Sequence, residues 1–122
     1  VLIDVPKDVG LKKFNYFIKN EKIEGVVFLS GDKHYSNLLK MPVKDAYPLY
    51  DFTCSPLTST TYSDANELDP WNVSGTLVED QNYGRIVVKK QKGEYLAVLK
   101  LFSARGKLLW EHRIEQSELS FK

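Results

Sequence analysis

The sequence predicts an α/β domain, one amphipathic helix and a buried strand followed by an antiparallel β meander. Three observations carry this. Leu11, Phe14 and Ile18 recur at i, i+3 and i+7 with lysines on the opposite side, the spacing of a helix with one buried face. Val26-Val27-Phe28-Leu29 is an unbroken apolar run between Gly25 and Ser30-Gly31, the pattern of a strand covered on both faces. Beyond residue 84, β-branched and apolar runs are separated by the turn dipeptides Lys92-Gly93 and Arg105-Gly106. By content the chain is α+β, and 122 residues is the length of one domain.

Each element follows in order. Val1 to Val5 reads as the end of a strand whose upstream partners lie outside the chain, so residues 1–122 form a single partial domain in this reading. The helix is expected over about 8–22, entered past Pro6 and Asp8 and stopped by Gly25, with Phe17 beside its apolar face and Ile23 closing it. Lys12, Lys13, Lys19 and Lys22 are its solvated side. The strand at 26–29 should then be central and parallel, the second half of a βαβ unit. Short strands are expected over Tyr35 to Met41 and over Leu49 to Thr53. From Ser55 to about Asp80 the chain is rich in Ser, Thr, Asn, Asp and Pro, a long connection of the kind that is usually functional or mobile. The meander comprises Arg85 to Lys90, Tyr95 to Phe102 and Lys107 to Glu115. Its middle strand is apolar on both faces and so central. Its last strand places Leu108, Trp110, His112 and Ile114 on one face.

Composition narrows the function classes. Seventeen basic and sixteen acidic residues leave a formal charge of +1, which argues against a dedicated nucleic-acid binder. With 43% hydrophobic and 27% charged residues the chain is not disordered throughout. One cysteine, Cys54, excludes an intrachain disulfide and a CxxC metal site. No apolar run reaches the roughly 18 residues of a transmembrane helix. The start at Val1-Leu2-Ile3-Asp4 reads as that of a processed chain or a fragment.

The string Leu29-Ser30-Gly31-Asp32-Lys33-His34-Tyr35 holds the most chemistry. Ligands of open α/β sheets gather at the carboxyl ends of the strands, where this string falls. If the segment is extended, Asp32 and His34 face the same way. A carboxylate oxygen and an imidazole nitrogen together suit Zn²⁺, Fe or Mn²⁺. The plainer alternative is a turn capped by Asp32, with His34 hydrogen-bonded at a strand edge.

The residues from Gly25 through His34 to Tyr35 resemble the last metal motif of alkaline phosphatase D-like enzymes, a branch of the calcineurin-like metallophosphoesterases. Three more strings fit in order. These are the helix through Phe14-Asn15-Tyr16-Phe17-Ile18, the strand and loop Leu49-Tyr50-Asp51-Phe52-Thr53-Cys54-Ser55-Pro56-Leu57-Thr58, and Asn82-Tyr83-Gly84 before a β run. The resemblance spans most of this chain but only the C-terminal end of such an enzyme. It implies the C-terminal part of a four-layer αββα sandwich holding two divalent or trivalent metal ions (Fe, Zn, Mn or Ca). It implies a phosphate ester substrate, and Asp32 and His34 as catalytic metal ligands. It also implies secretion or a periplasmic location. The superfamily's last motif is Gly-His-x-His, and Asp32 stands at its first histidine, as is usual in this branch. The superfamily's earlier metal motifs, Asp-x-His, Gly-Asp-x-x-Asp and Gly-Asn-His-Asp, are absent, so the chain alone is expected to be inactive and to hold no metal tightly. An apolar surface over residues 26–29 should then be covered by the missing N-terminal part of the enzyme or by self-association.

Other residues read more plainly. His112, on an apolar strand face, is a core or interface histidine, and Cys54 a buried small residue. Ser55, Thr58 and Ser59 form either a substrate contact or a turn, and Trp71 either a loop anchor or a lid. Asn72-Val73-Ser74 matches the glycosylation acceptor pattern, usually by chance. Two further readings stand beside the phosphoesterase. One is a non-catalytic, mostly β interaction module using its long loop. The other is one half of a split enzyme.

Overall fold

The computed structural model describes residues 2–4, 11–57 and 70–122. The expected helix entry at Pro6 and Asp8, and Thr58 and Ser59, lie outside the described residues. The elements are β1 (Leu2–Asp4), α1 (Leu11–Glu21), β2 (Val27–Ser30), β3 (Asn37–Met41), β4 (Leu49–Thr53), β5 (Asn82–Gln91), β6 (Glu94–Ser103) and β7 (Leu108–Glu115), with a closing 3₁₀ turn at Gln116–Leu119. The chain is mixed α/β, with one helix and two small sheets.

The first sheet has the order β1-β2-β4-β3. β2 lies parallel to both β1 and β4, and β3 returns antiparallel along β4. The expected central, parallel strand is therefore present, one residue later than its apolar run. Phe28 pairs across from Asp51, and Ser30 from Thr53, so these four side chains share one face of the sheet. That face meets α1, where the Phe14 ring stands edge-on to Phe28 at 6.2 Å. Ile18 is buried beside them, as the helical spacing predicts, whereas Phe17 is exposed.

The helix does not run on to Gly25. Lys22 takes a left-handed backbone, φ 53°, and the Ile23 N–H donates to the Ile18 carbonyl five residues back at 3.0 Å. This closure satisfies a terminal carbonyl and usually employs glycine.

The second sheet is the meander β5-β6-β7, with the apolar middle strand central. It packs on the other face of the first sheet. Trp110 stands edge-on to Phe52 at 5.3 Å, and His112 lies tilted against Tyr50 at 5.5 Å. The layers are thus helix, sheet, sheet, and the core between the sheets includes Tyr50, Phe52, Leu99, Leu101 and Ile114. One detail departs from strict alternation. The register shifts between Leu101 and Phe102, so that Leu101 pairs with Trp110 but Phe102 with Leu108. This bulge skips Leu109 and takes Leu108 off the inward face that alternation predicts for it.

Val26, Val27 and Phe28 are buried within this chain, at 0–3% exposure. The expectation of an open surface over residues 26–29 is therefore corrected at these three residues. The apolar opening lies instead where β5 and β6 extend past β2, a cleft of about 260 Å³ lined by Val27, Ile86, Val88, Ala97, Leu99 and Ile114.

Candidate active site at the ends of the parallel strands

Where β2 ends, the chain turns through Gly31-Asp32-Lys33-His34 before β3 begins. Asp32 and His34 both adopt left-handed backbone, φ 61° and 59°. The segment is not extended, so the alternation rule does not apply to this pair. Short polar side chains tolerate this region better than branched ones. Asp32 is exposed and His34 half-buried.

A dense set of hydrogen bonds fastens this turn. The His34 N–H donates to the Ser55 hydroxyl at 3.2 Å. The Ser36 hydroxyl accepts from the Ser55 N–H at 2.8 Å and donates to the Asn82 side-chain oxygen at 2.6 Å. The Asn82 amide donates to the carbonyls of Ser55 at 3.2 Å and Asp80 at 2.7 Å. The Asn82 N–H donates to the Pro56 carbonyl at 2.9 Å. Ser36 and Asn82 are buried at 0% and 1% exposure, so the bond between them forms away from competing water. Three strings of the sequence analysis, Gly-Asp-Lys-His, Ser-Pro-Leu and Asn-Tyr-Gly, thus meet at one place. The peptide between Ser55 and Pro56 is cis. Ser55 serves this network as a turn residue.

Beneath the turn lies a partly buried carboxylate. The Ser30 hydroxyl donates to Asp51 Oδ1 at 2.7 Å and stands 2.7 Å from the Thr53 hydroxyl. Burial pushes the Asp51 carboxyl above the usual carboxylate value, opposed by the Ser30 hydrogen bond and by the charge of Lys33. Cys54, next along the chain, has its thiol pushed up to about 12, by burial first and by the nearby Asp51 charge second. Such a thiol stays protonated at neutral pH and is a poor nucleophile, in keeping with a packing role.

The remaining candidates fall elsewhere. His112 lies between the sheets, its imidazole held below its usual value mainly by burial. The Asn72 side chain accepts from the Asn37 amide at 2.8 Å and donates to the Val73 carbonyl at 3.0 Å. Trp71 presents a backbone carbonyl to the Lys40 N–H at 2.9 Å, and its ring is partly exposed. Among the described residues, no group of three or more His, Cys, Asp or Glu side chains is placed to hold a metal ion. Sequence reasoning passed over Ser30, Ser36 and the role of Asp51. For Asp51 a signal existed, a carboxylate between Tyr50 and Phe52 in an otherwise buried strand. For Ser36 there was none.

No family profile matches the chain, and no solved structure matches it. Part of it is similar to the acetolactate synthase large subunits of Porphyra purpurea and Porphyra umbilicalis, each 44% identical over 57 residues. That segment is 47% of this chain, and the chain spans 9% of the length of those curated proteins.

Proposed function

We propose that this chain contributes the last metal-binding turn of a metal-dependent phosphoesterase, with Asp32 and His34 as ligands. The observation that supports it is the convergence described above. The Gly-Asp-Lys-His turn at the carboxyl end of β2 is hydrogen-bonded to the Ser-Pro loop after β4, and Ser36, two residues past the turn, is bonded to the same loop and to Asn82 at the start of β5. These are three of the four strings on which the resemblance to alkaline phosphatase D-like enzymes rests. An exposed carboxylate and a half-buried imidazole fit the donor preferences of Fe, Zn and Mn, and the carboxylate also suits Ca. Two side chains furnish only part of a dimetal cage, so the other ligands belong to the rest of the enzyme. Bound metals supply an activated water and neutralise charge on the phosphoryl oxygens. This chain's share is to hold Asp32 and His34 on a turn hydrogen-bonded at both ends, through Ser30 and through the His34 N–H.

The test is hydrolysis of p-nitrophenyl phosphate and its bis ester by the full-length protein with Mn²⁺, Fe or Ca²⁺. His34→Ala and Asp32→Asn are each expected to lower activity at least about a hundredfold, as loss of a ligand should. Native activity in His34→Ala sinks the assignment. The apolar cleft beside Val88 favours the second reading, an interaction module. A folded full-length protein that binds no metal and hydrolyses neither ester supports that reading instead.

A further inference from the structure

We propose that Asp51 is a positioning residue for the Gly31–His34 turn, holding its root through the Ser30 hydroxyl. The inference rests on the phosphoesterase reading for its effect on activity, but not for the contact itself. Asp51 lies on β4, two residues before Thr53, on the sheet face it shares with Ser30. Ser30 is the last residue of β2, and the turn leaves the sheet from it. Its carbonyl accepts the Cys54 N–H at 3.1 Å, and its hydroxyl donates to Asp51 at 2.7 Å. With that proton committed to the carboxylate, the 2.7 Å contact to Thr53 is one in which Thr53 donates. A directed chain therefore runs from Thr53 through Ser30 to Asp51. Lys33 lies between the two candidate ligands, its ammonium 6.0 Å from the centre of the Tyr35 ring.

A carboxylate desolvated under a helix opposes folding unless it is well compensated. Asparagine would fill the same space without the charge. What the charge adds is a fixed direction for the Ser30 proton, at the residue from which the turn leaves the sheet.

The experiment is amide hydrogen exchange on the full-length protein carrying Asp51→Asn or Ser30→Ala. Exchange over residues 31–35 is expected to quicken at least about tenfold in Asp51→Asn, while residues 96–101 at the core of the second sheet stay within about twofold. Asp51→Asn combined with Ser30→Ala should exchange no faster than the faster of the two single variants, because both changes break the same bond. Ser30→Ala serves as the independent variant should Asp51→Asn fail to fold. Uniform acceleration through both sheets, or an unchanged turn in every single variant, overturns the positioning role. In the activity assay, Asp51→Asn should lower kcat about tenfold or more with KM within about twofold. A loosened turn in a protein with no phosphoesterase activity upholds the positioning role and discards the phosphoesterase. An active protein with an unperturbed turn discards the positioning role alone.

Discussion

Gly84 shows how closely the two sheets approach beside the candidate site. A Cβ built there would run into Cys54 Sγ and lie 2.9 Å from the Phe52 ring, well inside van der Waals contact. Neither neighbour moves cheaply, since Phe52 is buried at 1% exposure against Trp110. Gly84→Ala is therefore expected to destabilise the protein by about 1–3 kcal/mol in chemical denaturation, the usual cost of overpacking. Cys54→Ala in the same background should recover part of the loss, because it removes the sulfur that sits nearest. Asp51 makes a second prediction at this scale, through pH. Its carboxyl is raised above 3.8 when folded, by burial first, so the folded state holds the proton at pH values where the unfolded chain has released it. That contribution to stability is full below the ordinary value and is lost as pH rises through the folded value. The stability of Asp51→Asn relative to wild type should accordingly increase between about pH 3 and pH 7. A difference that stays flat or shrinks over this range contradicts a raised Asp51.

Most of the elements were legible because their signals are local. The Phe14 and Ile18 spacing, the Val26–Leu29 run and the Lys92-Gly93 turn each act within one or two turns of chain, and each appears within a residue of where the sequence puts it. What was not legible depends on partners. α1 ends at Glu21, one residue from the expected end, but what closes it is the left-handed Lys22 and the bond from Ile23 to Ile18 rather than Gly25. The bulge at Leu109 appears only once β7 is laid against β6, and alternation alone assigned Leu108 to the wrong face. At the site, Asp32 and His34 stood out as a motif, whereas the bonds of Ser36 to Asn82 and of Ser30 to Asp51 join residues 46 and 21 positions apart. The β5–β6 hairpin offers a test of local turn chemistry. Its two-residue loop has φ 51° at Lys92 and 83° at Gly93, between the paired residues Gln91 and Glu94. Two positive φ values mark the turn that matches the twist of the strands and that favours Asn-Gly. A lysine, with its Cβ, is strained in the left-handed position. Lys92→Asn should raise stability by about 0.5–1 kcal/mol, read as a shift in the urea midpoint at constant slope. A loss of stability would mean that the Lys92 side chain itself supports the hairpin.

Across the whole molecule, the site depends on both sheets at once. The Gly31–His34 turn leaves the first sheet at the end of β2, and the Ser55-Pro56 loop leaves it at the end of β4. Asn82 opens the second sheet and is bonded to the latter loop and to Ser36. Packing of Phe52 on Trp110 and the close approach at Gly84 hold the sheets together within a few residues of these bonds. A folded chain should thus present Asp32 and His34 in their final backbone geometry whether or not other parts of an enzyme are present. Geometry is not affinity, however. Two donors, one of them exposed, leave most of a metal's coordination to water, and a catalytic pair of ions needs several protein ligands. The 122-residue chain by itself is therefore expected to hydrolyse p-nitrophenyl phosphate and its bis ester no faster than buffer containing the same metal. Calorimetric titration of that chain with Mn²⁺ should give at most weak binding, abolished by His34→Ala. Turnover by the isolated chain with added Mn²⁺, Fe or Ca²⁺ would place a complete site within these residues, and the proposal that its other ligands lie elsewhere in the enzyme would fall.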